Sequence, residues 1–335
     1  MQRIRSWWVV RGIGMILPCL LMFLAAGLTD VRPSQAQYVL LNMAFVAADM
    51  SSPFYQTMKC GAYEASTKEH VALDWQGDAQ WGIQQQMPIF QAVVEKHPLG
   101  MVLAPTDPNA LIEPVKQLMA QGIPVVTVDG SLNQPVEVQN IRTNNTTAGA
   151  QAADALGKAT GGEGKIQVVA LDPGVPANQE RVDGFAKELN AKYPKITLLP
   201  TQYSGTNQTK AAQQVAAAIQ ANPDLKGVYT TFSDASNGAA SAILAANKRG
   251  AIKLVAYDAD PQEVRDLKDG VFDALVVQNP YSEGFDSVTL VAKILRHQVD
   301  KSRVPHQAYP KSFIATRQNI DDPSLQKYLY KTSCG

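Results

Sequence analysis

Apolar residues fall along this chain in short unbroken runs, separated by longer stretches where they recur every three or four positions. "LLNMAFVAA" leads into a helical pattern over about 53–69, "VALDWQ" into one near 84–96, "GMVLAP" into one near 110–121, and "IPVVTVD" closes the series. The runs are continuous Val, Ile, Leu and Ala rather than alternating, which is how strands buried on both faces of a parallel sheet read. The pattern then begins again. "KIQVVALD" precedes a helix near 178–192, "ITLLPTQYS" one near 209–220, "GVYTTFSD" one near 237–247, and "IKLVAYD" follows. Regular strand–helix alternation predicts an α/β fold with doubly wound parallel sheets. "GMVLAPTDPNALIEPVKQLMAQGIPVVTVD" lies over "GVYTTFSDASNGAASAILAANKRGAIKLVAYD": each is a strand, an Asp-bearing loop, a helix and a strand ending in Asp. Two similar Rossmann-like lobes are therefore expected, not one large sheet.

The first residues read differently. Arg3, Arg5 and Arg11 precede the apolar stretch "GIGMILPCLLMFLAAGL", which Pro18 interrupts and which is short for a bilayer span. "RPSQAQ" follows, with Ser34 and Ala36 at the small-residue positions of a signal-peptidase site, so 1–36 is expected to be an export signal cleaved after Ala36. Cys19 lies inside the run without the small neighbours of a lipid-attachment box. Removal of four of 30 basic and one of 30 acidic residues leaves 26 against 29, a formal charge of −3. Such a balance gives no electrostatic case for nucleic acid or an anionic membrane. Two of the three cysteines, Cys60 and Cys334, remain in the exported chain, in an oxidising compartment.

Open α/β sheets bind ligands beyond the carboxyl ends of their strands. Two lobes facing each other through those ends enclose a cleft, and the strand-end residues are the candidates: Asp107, Asp129 and Gly130 from the first half, Asp172, Phe232, Ser233, Asp234 and Asp258 from the second. "SSPFYQTMKCG" leaves the first strand; Pro53 suits a first helical turn, which places Phe54 and Tyr55 either at the cleft mouth or between helix and sheet. Asp107 and Asp234 fit helix caps as well as ligand contacts, whereas Asp129 and Asp258 end strands with no helix start beside them and favour the cleft. Enzyme chemistry finds little support. The four histidines, His70, His97, His297 and His306, mostly follow charged helix-end patterns; there is no HExxH, GxSxG, CxxC or EF-hand loop; and "GGEGK" precedes a strand, the wrong order for a phosphate loop. No cofactor or metal is expected. Carboxylates, amides, an arginine and aromatic rings at strand ends suit a neutral polyhydroxylated ligand. Paired hydroxyls donate to carboxylates, an arginine fork donates to oxygens, and rings cover C–H faces.

The chain resembles the periplasmic sugar-binding proteins of ABC importers, the ribose-receptor-like branch of the type I periplasmic binding proteins. The likeness runs through "SPFY", "APTDPNAL", "GIPVVTVD", "IRTNN", "ERVDGF", "LVAYDADP" and "VVQNPYSEG" in that order, to about Gln318. It implies a receptor that takes a monosaccharide or polyol between its lobes, acts as a monomer and docks on an importer permease. It implies ligand contacts from Ser52, Phe54, Tyr55, Asp129, Thr143, Arg181, Phe232, Asp234, Tyr257, Asp258 and Gln278. It also implies three crossovers near Thr143, Gln278 and Val304, hence a first lobe of 37–143 plus 279–304, a second of 144–278 plus 305–318, and a tail, 319–335, that the ribose receptor lacks. Departures from that receptor are Ala104 in place of an asparagine, Gly130 in place of an arginine and Phe232 in place of another asparagine; its second-lobe aromatic lid falls near 203–205. The aromatic at Phe232 implies a smaller, less polar or differently oriented ligand than ribose, with pentose, hexose and polyol all open. Some relatives pair a cysteine before Gly-Ala with one at the chain end, which implies a Cys60–Cys334 disulfide clear of the ligand. The same fold serves receptors for sensor kinases or chemoreceptors, and a secreted α/β enzyme is a third reading.

Overall fold

The computed structural model describes residues 40–334; the expected export signal, with Cys19 and the cleavage position after Ala36, lies outside them. The apolar runs form strands and the periodic stretches form helices. In chain order the first half gives β1 (Leu41–Val46), α1 (Pro53–Lys68), β2 (Val71–Gln76), α2 (Ile83–Val94), β3 (Gly100–Leu103), α3 (Ile112–Ala120), β4 (Val125–Val128) and β5 (Gln139–Ile141). The second half repeats it with α4 (Asn145–Ala159), β6 (Glu163–Ala170), α5 (Pro176–Lys192), β7 (Lys195–Leu198), β8 (Gln202–Tyr203), α6 (Gln208–Ala221), β9 (Leu225–Thr230), α7 (Ser233–Ala245), β10 (Lys253–Tyr257), α8 (Pro261–Asp269) and β11 (Ala274–Val277). Then come α9 (Pro280–Leu295), β12 (Gln307–Ala308), β13 (Phe313–Ala315) and α10 (Pro323–Gln326).

These strands form two separate sheets, ordered β12-β5-β4-β3-β1-β2 and β13-β11-β10-β9-β6-β7, with β8 on β6. All pairs are parallel except β11 with β13. Without the edge additions, each sheet has the same order, in which the second strand lies outside the first and the rest run away on its other side. The expected duplication is thus a duplication of topology. The central strands β3, β4 and β11 are buried at every position, as continuous apolar runs require.

Local signals set the helix starts. The Ser52 side chain accepts from the Phe54 amide, and Pro53 takes the first turn of α1, where no amide donor is needed. Asn279 and Pro280 do the same for α9, and Asp260 with Glu263 forms a reciprocal capping box on α8. His97 and His297 follow helix ends in the left-handed region at φ 52° and 57°, with amides bonded back to Val94 and Ile294, so these histidines terminate helices. In "GGEGK" Gly161 and Gly162 make the turn into β6, and Glu163 to Lys165 are its first residues.

In each lobe two helices cross very closely through a pair of facing glycines. A Cβ on Gly61 of α1 would lie 2.0 Å from the Tyr281 carbonyl oxygen, and one on Gly284 of α9 2.1 Å from that of Met58. In the second lobe a Cβ on Gly149 of α4 would lie 2.3 Å from the Arg181 carbonyl oxygen, and one on Gly184 of α5 2.2 Å from that of Thr146. Only glycine lets these backbones approach so closely.

The chain passes between sheets after β5, returns after β11, and crosses a third time between β12 and β13. This last passage falls later than the Val304 expected from sequence, because Gln307 and Ala308 still pair with Asn140 and Ile141 in the first sheet. Beyond β13 the expected tail packs on the body: Ile320 and Tyr330 are buried in one apolar cluster with Phe54 and Phe272. Cys60 and Cys334 are joined as a disulfide, their Cα atoms 5.2 Å apart. Among the described residues no helix is long and apolar enough to cross a membrane.

Candidate functional site

The carboxyl ends of both sheets open on one cavity of about 270 Å³. From the first lobe its wall takes the loop after β1 with the start of α1 (Ser52, Phe54, Tyr55), Trp81 after β2, Thr106 after β3, and Asp129 and Gly130 after β4. From the second it takes Asn178 and Arg181 on α5, Phe232, Asp234 and Asn237 around the start of α7, Asp258 and Asp260 after β10, and Gln278 after β11.

Asp129 and Asp258 hold equivalent places, each the residue after the fourth strand of its sheet. Both adopt left-handed backbone, at φ 56° and 81°, which aspartate tolerates better than most side chains. Their surroundings differ. Asp129 accepts one side-chain hydrogen bond, from the Tyr55 hydroxyl at 2.5 Å. Burial pushes its carboxyl above the usual range, against the opposing pull of Tyr55 and the Arg181 guanidinium. Behind it Glu283, on the first turn of α9, is fully buried with neither oxygen hydrogen-bonded, and burial followed by the Asp129 charge pushes it far up. Asp258 is held by four donors: Oδ1 accepts from Gln278 Nε2 at 2.7 Å and the Tyr330 hydroxyl at 2.9 Å, and Oδ2 from the Ser233 amide and Oγ at 3.2 and 3.3 Å.

Arg181 is buried and fixed in its fork. Nε donates to Asn145 Oδ1 at 2.8 Å, Nη1 to the Thr231 carbonyl at 2.7 Å and Nη2 to Gln278 Oε1 at 3.1 Å. Its guanidinium sits 4.2 Å above the centre of the Tyr257 ring, a cation–π seat that orients it without neutralising it. Gln278 therefore links the arginine to Asp258 and sets both. Phe54 and Tyr55 meet edge-to-face at 5.2 Å and both line the cavity while their far sides pack on the core, so the two alternatives left open by sequence hold together.

Nine of the eleven expected contacts lie in this wall: Ser52, Phe54, Tyr55, Asp129, Arg181, Phe232, Asp234, Asp258 and Gln278. Thr143 and Tyr257 do not. Tyr257 is fully buried beneath Arg181, and Thr143 is buried at the first crossing between sheets. The two capping candidates separate: Asp107 caps a turn through the amides of Asn109 and Ala110, whereas Asp234 makes no such bond and faces the cavity. Tyr203, near the expected aromatic lid, and Asp172 are not part of the wall, where Thr206 stands instead.

Sequence reasoning missed Trp81, Asn178, Asn237, Asp260 and Tyr330. Asn178 and Asn237 stand three positions from Arg181 and Asp234, one helical turn away on the same face, and that spacing was a usable signal. Tyr330 gave none, being 72 residues from the aspartate it touches. Among the described residues no cluster of His, Cys, Asp and Glu could hold a metal ion. The wall carries five aspartates, Asp49 included, and one arginine, with no lysine or histidine. It is an acceptor-rich slot with aromatic sides, suited to a ligand that presents many donors and no negative charge.

The model of the periplasmic binding protein domain family matches residues 43–298. The ribose import binding protein RbsB of Salmonella typhimurium is 26% identical over 79% of this chain and 88% of its own. An ABC transporter solute binding protein from Agrobacterium vitis, solved with bound alpha-D-tagatopyranose, superposes with a TM-score of 0.82 at 30% identity, covering 87% of this chain and 99% of that one. A second from the same organism, solved with D-fucose, gives 0.80 at 30% identity, covering 86% of this chain and 100% of that one.

Proposed function

The chain belongs to the periplasmic binding protein domain family, and on that premise we propose that it is the receptor of an ABC sugar importer, capturing one monosaccharide or polyol between its lobes. The observation that carries this reading is the pairing of Asp129 and Asp258 at matching strand ends of the two lobes, with Arg181 and the Phe54–Tyr55 pair beside them in one cavity. Each carboxylate takes hydroxyl donors of the ligand, the remaining guanidinium N–H groups point donors at its oxygens, and the rings cover its C–H faces. A volume of about 270 Å³ is at the small end for ligand pockets and suits one sugar unit better than a chain of them. The excess of carboxylates disfavours sugar phosphates and sugar acids, which would bring like charge into a partly dry site. Ribose, tagatose and fucose belong to relatives; here Gly130 and Phe232 alter the wall, so the particular sugar is read as this chain's own.

Binding needs no chemical step, and the family is one of solute-binding proteins. We assign the cleft to recognition alone: capture in a more open arrangement, closure about the three inter-lobe passages, and presentation of both lobes to a permease. Ser52, Phe54, Tyr55, Asp129, Arg181, Phe232, Asp234, Asp258 and Gln278 are proposed as direct contacts, with Tyr257 as the support of Arg181. Thr143 is proposed to act at the first crossing. An exported, monomeric receptor also accommodates the Cys60–Cys334 bond.

Thermal-shift screening of the purified protein against neutral sugars, polyols, sugar phosphates and amino acids tests this. A ligand at 100 times its dissociation constant adds about 2.7 kcal/mol of stability. A shift confined to neutral sugars or polyols is the expected result. No shift with any of them, or a larger one with sugar phosphates or amino acids, overturns the reading.

A further inference from the structure

The last residues of the chain touch both lobes within five positions. Tyr330 is 5% exposed. Its amide donates to the Ala259 carbonyl at 3.1 Å and its hydroxyl to Asp258 Oδ1 at 2.9 Å, both on the loop after β10. Its ring meets Phe54 of the first lobe edge-on at 5.6 Å. One residue later the Lys331 amide donates to Thr57 Oγ1 on α1 at 2.7 Å, and Cys334 is bonded to Cys60 on the same helix. The tail is thus fixed to the second lobe at Tyr330 and to the first at Lys331 and Cys334.

We propose that Tyr330 is a positioning residue of the binding site, and that 331–334 with its disulfide is a strap that keeps it there and couples lobe separation to the geometry of Asp258. The positioning role rests on the receptor reading above; the strap does not. Gln278 and Tyr330 together occupy Oδ1 of Asp258 and fix the plane of its carboxylate, so that Oδ2, reached only by the long 3.2 and 3.3 Å bonds from Ser233, is the oxygen turned to a ligand hydroxyl. Burial, then the Asp258 charge, pushes the Tyr330 hydroxyl well above its usual range, so it remains a proton donor at every physiological pH. The strap is short. From Tyr330 to Cys334 the chain reaches at most about 14 Å when fully extended. With α1 holding one end covalently, the lobes separate only within that slack or by pulling Tyr330 off Asp258 and Ala259. Closure therefore restores the hydroxyl donor as it forms the site. Cutting the disulfide leaves Tyr330 on a free end, which must be ordered at each binding event.

The experiment uses the disulfide-intact protein with D-ribose, D-tagatose, D-fucose and D-arabinose as probes, by calorimetry and stopped-flow fluorescence. Tyr330→Phe keeps the ring on Phe54 and removes only the donor. About a tenfold weaker affinity is expected, carried by faster dissociation, with the ligand-free melting temperature nearly unchanged. Cys60→Ser/Cys334→Ser is expected to weaken binding as well, and Tyr330→Phe made in that background to cost less than it does alone. Affinity for Tyr330→Phe within twofold of wild type overturns the positioning role, and losses that simply add overturn the strap's hold on Tyr330. If wild type binds none of the probes and none of the wider panel, the receptor reading fails and takes the positioning role with it. The strap is read independently by X-ray scattering of ligand-free protein. The Cys60→Ser/Cys334→Ser variant should have a larger radius of gyration than wild type, and equal radii overturn the strap.

Discussion

The two lobes share a strand order, a glycine-lined helix crossing and an aspartate in left-handed backbone at the same strand end. They treat that aspartate in opposite ways. In the second lobe Asp258 is held by Gln278, Ser233 and the tail before any ligand arrives. In the first, Asp129 has Tyr55 alone and lies beside the unsatisfied Glu283, and burial raises its carboxyl above the usual range. Duplication of a fold thus carries over the position of a group but not its preparation. The second lobe offers a finished acceptor, and the first keeps one whose charge is costly until a ligand supplies donors.

The sharpest way to break this comparison is to remove the groups that span it. Arg181→Ala and Asp129→Ala are each expected to weaken sugar binding about a hundredfold, from charged hydrogen bonds of about 1.5–3 kcal/mol apiece, while the protein stays folded. Arg181→Ala should be the larger, because it also strands Asn145 and Gln278. Calorimetric affinities within threefold of wild type for both would place the site elsewhere. Next come the helix crossings. Gly284→Ala in the first lobe and Gly184→Ala in the second should each cost about 1–3 kcal/mol in denaturant unfolding, since the facing carbonyl must move. Near-equal costs sharpen the likeness of the lobes, and an undiminished midpoint for either would deny it a tight crossing.

A smaller effect separates stability from binding. Asp129, Asp234, Asp260, Glu263 and Glu283 all have carboxyls pushed above the ordinary range, in each case first by burial. Between that range and their raised values the folded protein holds more protons than the unfolded one. Ligand-free stability should therefore rise as pH falls from neutral through those values. Sugar affinity should fall over the same interval as Asp129 loses its charge. Melting temperature and Kd measured from about pH 8 down to about pH 5, above the ordinary carboxylate values, check both slopes, and parallel slopes would contradict the account. The smallest expected change is at Asp234, whose charge is opposed by Asp49, Asp258 and Asp260. Asp234→Asn should raise the ligand-free melting temperature by about 1 °C, the discount reflecting its partial exposure; a lowered value would mean that the carboxylate has a stabilising partner.

How much of this was legible in sequence follows from what was local. Strand runs, helix periods and the repeated "strand ending in Asp" gave the two lobes and placed Asp129 and Asp258, because each signal sits within a few residues of the feature. Tyr257 was expected as a contact from the family resemblance, yet neighbours along a strand face opposite ways, and its ring became the seat of Arg181. The third crossing was placed near Val304 by resemblance, and no hydrophobic pattern could correct it, because β12 has only two residues. Tyr330 and Glu283 were invisible for another reason. What they do is set by partners far along the chain, and nothing in "KYLYK" or "PYSEG" reports on them.

The helix crossing in the first lobe also orders events in time. α1 is the first helix of that lobe, but the helix it packs against through Gly61 and Gly284 arrives only after β11, and its edge strand β12 later still. The second lobe needs little beyond the continuous stretch from α4 to β11, with β13 added at one edge. Contacts between distant segments form slowly, since loop closure precedes any gain. As a chain emerging from its amino end, the lobe that is begun first is the one completed last, so the earliest-made surface of this protein waits longest, uncovered, for its partner.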